Sequence, residues 1–215
     1  MKSIIFSISL LLFAMLPAMA QYDGIHEGSL VFVVSKSTNP ITSVTGGIDS
    51  LSIDHVAIMH RIGGDNGPLF ALEAIPEQVS LTPIENFFAD TCASAFVLAS
   101  VHGVDVGTSV HNALKYVGRP YDHYFMPGDS AIYCSELVQI SYVDSFGKPI
   151  FETVPMTFRN NSGEIPDFWV RRYGERGMAV PEGAPGTNPG EMSRRSCVNI
   201  IDVVSLSQSS LEGNF

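Results

Sequence analysis

The sequence predicts an α+β domain in which an antiparallel sheet packs against a few helices. Short apolar runs rich in β-branched residues dominate up to Val101, and helical periodicity takes over after it. Neither an internal repeat nor a clean linker divides the chain, so one domain accounts for it.

The strands come first. "GSLVFVVS" (28–35) reads as a buried strand, and "KSTNPITSVTGGIDSLS" has the composition of a loop. "DHVAIMHRI" (54–62) and "LFALEAI" (69–75) flank the turn "GGDNGP" and read as a hairpin. "TPIENFFAD" begins like a helix, with Thr82 as N-cap, Pro83 at the first helical position and Glu85 three residues after the Thr. "SAFVLASV" (94–101) is a further strand.

Two helices follow. "VGTSVHNALKYVG" (106–118) sets Val110, Leu114 and Val117 on one face and closes at Gly118. After the loop "GRPYDHYFMPGDSA", the segment from Cys134 spaces Val138, Tyr142 and Phe146 four apart, which predicts a buried helix of about twelve residues ended by Gly147. In the Gly- and Pro-rich stretch after Val180, "GTNPG" reads as a surface loop in preference to a turn bordering a cleft. "CVNIIDVVSL" closes the chain as a strand.

The first twenty residues have Lys2, an apolar core from Ile4 to Leu16 and then Ala18-Met19-Ala20, the pattern of a secretory signal. Its removal leaves residues 21–215 as a single exported domain, periplasmic or extracellular. No later run is apolar enough to span a bilayer. Twelve Lys and Arg against 22 Asp and Glu give a net charge of -10, which argues against a nucleic-acid partner. No Cys-x-x-Cys pair and no zinc-site spacing are present, so neither metal nor other cofactor is expected. The three cysteines, Cys92, Cys134 and Cys197, leave one thiol unpaired within a monomer. If Cys134 is reactive, Cys92 and Cys197 are the pair left for a disulfide, although nothing in the sequence brings them together.

Cys134 stands where a loop gives way to a helix, the place where free N–H groups and the helix dipole favour a thiolate and can bind an oxyanion. The alternative is an ordinary core cysteine. His55 opens a strand on the face it shares with Ala57 and Met59, whereas His60 falls on the other. His102, His111 and His123 are further histidines open to the same role. Glu73 is the only charge in "LFALEAIP", and a carboxylate on a half-buried strand needs a partner. Beside His55 it would hold the imidazole tautomer; from an edge strand it would point to solvent. Asp54 and Asp122 are rival orienters.

"SIDHVAIM", "LEAIP" and "GRPYDHYF...IYCSELV", in that order, resemble the permuted papain-like amidases of the YiiX type, relatives of the NlpC-type cell-wall peptidases. The resemblance also takes in "GSLVFV" and "PEGAPGTNPGEMS", and so most of the chain. It implies a circularly permuted papain-like fold in which the His strand precedes the Cys helix. It also implies a Cys-His-Glu triad of Cys134, His55 and Glu73, with Tyr133, Tyr121 and Asp122 lining the site. The implied activity is cleavage of an amide through a thioester acyl-enzyme, on peptides such as those of the cell wall. Relatives with the permuted order suggest a second reading, a thiol acyltransferase or a lipid amide or ester hydrolase. A third is a non-catalytic binding module on the same fold. Oligomeric state is not read from the sequence.

Overall fold

A computed structural model describes residues 24–206, apart from Pro127 and Asp129. The expected signal segment, 1–20, lies outside the described residues. In chain order the elements are β1 (Leu30–Ser35), a 3-10 turn (Ile48–Ser50), β2 (Ile53–Arg61), β3 (Leu69–Ala74), β4 (Val79–Pro83), α1 (Ile84–Phe88) and β5 (Ala93–Val101). Then follow α2 (Val106–Leu114), α3 (Cys134–Ser141), β6 (Val154–Pro155), α4 (Asp167–Gly174), β7 (Pro185–Gly186), α5 (Pro189–Met192) and β8 (Val198–Ser205). Six strands form one sheet in the order β4-β3-β2-β1-β5-β8, with every neighbouring pair antiparallel; β6 and β7 make a second, two-stranded sheet.

Both faces of the sheet are covered, which is why "LVFVV" in β1 is apolar without alternation and buried throughout. On one face Leu30, Phe32, Val56, Ile58 and Leu72 pack against Val110 and Ala113 of α2, Leu137 and Val138 of α3, and Met192 of α5. On the other, Val31, Ala57, Met59, Ala71 and Phe96 pack beneath Ile84 and Phe87 of α1. A third cluster, Phe158, Trp169 and Tyr173, gathers Val44, Phe125 and Met156 at one side of the domain. The Tyr142 hydroxyl ties the end of α3 to β1 by donating to the Gly28 carbonyl at 2.9 Å. Gly28 itself has φ +68, and a Cβ there would lie 2.8 Å from a Val106 methyl, so a side chain is excluded on both counts.

Three local expectations are corrected. Thr82 is not an N-cap: it lies in β4, a strand the sequence reading missed, and α1 begins two residues later. Helix α2 ends at Leu114, leaving Val117 exposed in the turn that Gly118 closes with φ +88. Helix α3 has eight residues, not about twelve. Tyr142 turns extended (φ -81, ψ 115), and Phe146, 94% exposed, belongs to a turn.

All three cysteines are free. Strands β5 and β8 pair antiparallel from Ala95–Ser205 to Val101–Val198, so Cys92 and Cys197 sit at opposite ends of the ladder. Nine residues of strand separate them by about 30 Å, far beyond the ~7 Å Cα limit of a disulfide.

Candidate active site

Cys134 is the first residue of α3 and is 2% exposed. The helix ladder opens with the Leu137 N–H donating to the Tyr133 carbonyl at 3.0 Å, so the amides of Cys134, Ser135 and Glu136 take no part in it. The Glu136 carboxylate reaches back to accept from the Tyr133 N–H at 3.4 Å and from the Gly128 N–H at 3.2 Å, bracing the loop that delivers Cys134. Burial and the nearby Asp122 push the Glu136 carboxyl up to about 7 against the pull of those two amides.

His55 enters from the start of β2. Opposite β1, His55 faces Val33 and Ile53 faces Val34, so Asp54 is an extra, unopposed residue and the strand bulges there. The His55 Nε2–H donates to Oε2 of Glu73 at 2.6 Å. With Nε2 occupied, Nδ1 is left for the Cys134 thiol, which also hydrogen-bonds the ring. Burial alone would lower the imidazole pKa, but hydrogen bonds to Cys134 and Glu73, and their charge, raise it well above the ordinary value.

Glu73 does not point to solvent; it is 5% exposed on β3. The β2–β3 ladder pairs Ile58 with Leu72, and one further step of that register sets Glu73 opposite Ala57, diagonal to His55 on the same face. The competing histidines are elsewhere. His60 bonds Glu27 at 2.7 Å, His102 and His111 are exposed, and His123 stacks against Tyr121 with ring centres 4.9 Å apart. Of the rival orienters, Asp54 accepts from the Asn39 side-chain amide.

Asp122 lines no contact with His55 in this arrangement and instead builds the loop ahead of α3. Its carboxylate accepts from the Tyr124 and Met126 amides at 2.8 and 2.6 Å. Between them Phe125 takes φ +52 and sets its ring edge-on to Tyr133 and Trp169, at 5.3 and 5.7 Å between ring centres. A bridge between Tyr121 and Ile132 holds Tyr121 beside Cys134. Burial, then Cys134 and Asp122, raise the Tyr121 phenol, which therefore stays protonated.

The reading of "GTNPG" as a surface loop is overturned. Thr187, Pro189 and Gly190 are buried. The Thr187 N–H donates to the Tyr133 hydroxyl at 3.1 Å, and its Oγ1 bonds Tyr133 at 3.3 Å and Ser135 at 3.1 Å. The loop thus grips both neighbours of Cys134. Beside the thiol it walls a cavity of about 220 Å³ whose other walls include Val44, Phe125, Met156, Phe158 and Trp169. Thr187, Glu136 and Trp169 were not singled out by the sequence. Glu136 carried the signal that exposed Glu73, a carboxylate in an apolar run, whereas Thr187 is masked by turn composition.

The chain matches, over residues 24–201, the family model described as permuted papain-like amidase enzyme, YaeF/YiiX, C92 family. It belongs to that family. A crystal structure titled as that of metalloprotein YiiX from Escherichia coli O157:H7 superposes with a TM-score of 0.65 at 21% identity, covering 82% of this chain and 96% of that one. No curated protein sequence matches the chain. The permuted papain-like amidase fold accounts for the order seen here, with the His55 strand ahead of the Cys134 helix, and for a mixed α+β architecture built on an antiparallel sheet. Among the described residues of this family member, no group of three or more His, Cys, Asp or Glu is placed to share a metal ion.

Proposed function

We propose that the protein is an exported cysteine amidase in which Cys134 is the nucleophile, His55 its acid-base partner and Glu73 the orienting carboxylate. The observation that carries this reading is the His55 ring bonded on one side to Glu73 and on the other to Cys134. A protonated imidazole next to a thiol at a helix start is the setting in which a thiolate–imidazolium pair forms.

In the proposed reaction Sγ attacks the amide carbonyl, and the oxyanion takes the free N–H of Cys134 and the protonated phenol of Tyr121. Collapse breaks the C–N bond while His55 delivers its proton to the leaving nitrogen. Water, deprotonated by His55, then attacks the thioester, and the carboxylic acid leaves as the thiol is restored. Tyr133 acts from behind the nucleophile through Thr187, and Asp122 acts by shaping the loop. Export rests on the signal-like first twenty residues. YiiX is titled a metalloprotein, but the described residues here offer no matching donor set, so no step is routed through a metal.

Peptide amides, including those of cell walls, are the first substrate class. The apolar cavity against Cys134 favours a second, in which the acyl half is an aliphatic chain borne by a lipid amide or ester and passed to water or another acceptor. The deciding experiment is intact mass after incubation with candidate acyl donors. An acyl adduct on wild type that is absent from Cys134→Ala, with turnover lost and the fold kept, is the expected result. Undiminished turnover by Cys134→Ala and Cys134→Ser removes the proposal.

A further inference from the structure

We infer that Arg194 selects the acyl half of the substrate, and that the cavity beside Cys134 takes an apolar chain ending in an anion. The inference rests on the reading that Cys134 carries the acyl group. Aliphatic and aromatic side chains form most of the cavity wall, and among the described residues its charged members are Glu191 and Arg194. Arg195 Nε holds the Glu191 carboxylate at 2.6 Å, so that charge is answered from outside the cavity. The Arg194 guanidinium has no ion-pair or hydrogen-bond partner among the described residues, in a protein whose net charge is -10.

Trp169 belongs to the same wall. Trp169 is 2% exposed, and its Nε1–H has no hydrogen-bond partner among the described residues. A buried indole donor ordinarily finds one. The charged donor that lines this largely apolar space is therefore Arg194, which is exposed. The backbone that leads to Arg194 is held. Asn188 caps α5 through the Gly190 and Glu191 amides, and Ser193 Oγ accepts from the Ile48 N–H at 2.9 Å, so the chain leaves α5 in a set direction just before Arg194. A volume of about 220 Å³ holds roughly seven water-sized groups, the size of a six-carbon chain with a terminal carboxylate.

Trp169 is the only tryptophan in the chain, so its fluorescence reports occupancy of this cavity. The test titrates Cys134→Ala with adipic acid mono-N-methylamide and with N-methylhexanamide, which share the amide and the six-carbon chain and differ in the terminal carboxylate. The anionic ligand should bind about fivefold tighter at low salt, with a preference that shrinks as salt is added. Arg194→Gln in the same background should bring the ratio to about one. Equal binding of the two ligands, preference for the neutral one, binding of neither, or a preference that survives Arg194→Gln overturns the inference. Binding is read without turnover, so this failure is separate from that of the hydrolase reading, which would show as turnover surviving Cys134→Ala.

Discussion

Glu73 reaches His55 at 2.6 Å from a strand that has already stopped pairing with its neighbour: the β2–β3 ladder ends at Ile58 and Leu72, and the carboxylate bonds the ring diagonally beyond it. On the β1 side the backbone of His55 is still paired, opposite Val33, whereas on the β3 side a side chain takes over from the ladder. Glu73→Gln should lower kcat by about 10²–10⁴-fold with little effect on KM, by analogy with the loss of an orienting carboxylate elsewhere. Steady-state kinetics on any substrate that acylates Cys134 checks this, and an unchanged kcat would remove Glu73 from the site.

The pH dependence follows from the same contact. His55 titrates well above the ordinary 6.5 in the folded protein, so its contribution to stability is complete below about 6.5 and is lost as pH rises through the raised value. The alkaline limb of kcat/KM should fall at that raised pKa, and Glu73→Gln should move it to lower pH. Rate profiles of the two proteins test the direction.

Glu136 has the same sign at lower pH, though here it is the neutral form that the fold favours. Its carboxyl titrates at about 7 in the fold and at 4.5 in the reference state, so the folded protein holds the extra proton between those values and stability falls as pH rises across them. Glu136→Gln should remove that loss, of order 1–2 kcal/mol after discounting for partial exposure, or a few degrees of Tm. Melting curves at pH 5 and pH 8 give the comparison: the variant should gain on wild type at the higher pH.

Thr187→Val removes the Oγ1 bonds to Tyr133 and Ser135; Tyr133 keeps the residue-187 N–H, but the buried Ser135 hydroxyl loses the one partner it has among the described residues. The expected cost is about 1–3 kcal/mol, and adding Ser135→Ala should recover part of it, because removing both partners of a buried hydrogen bond costs less than removing one. Denaturant melts of the single and double variants decide. If Thr187→Val melts like wild type, the loop does not grip Cys134's neighbours as described.

The residues that meet at Cys134 were legible in part: two carried a local signal that also fitted an ordinary reading, and the resemblance to the permuted papain-like amidases joined them with His55. Glu73 is a charge in an apolar strand, and Cys134 is a thiol where loop becomes helix. The cavity was not legible, since Val44, Phe125, Met156 and Trp169 come from four separated segments and the loop at 186–190 has the composition of any surface turn. Helix α3 was read too long because Val138, Tyr142 and Phe146 keep helical spacing past the point where the backbone extends. Strand β4 was missed because "VSLTP" runs straight into a segment with a helix-start pattern.

His55 belongs to a strand of the sheet and Cys134 to the helical layer laid across it, and about eighty residues of chain close the loop between them. Neither layer alone can present the pair. In refolding, strand pairing between sequence neighbours β2, β3 and β4 closes short loops early, whereas α3 must wait for its long loop to close. The pair is therefore a marker of late assembly: a thiol-directed probe should find Cys134 in its native environment only after β2, β3 and β4 have paired.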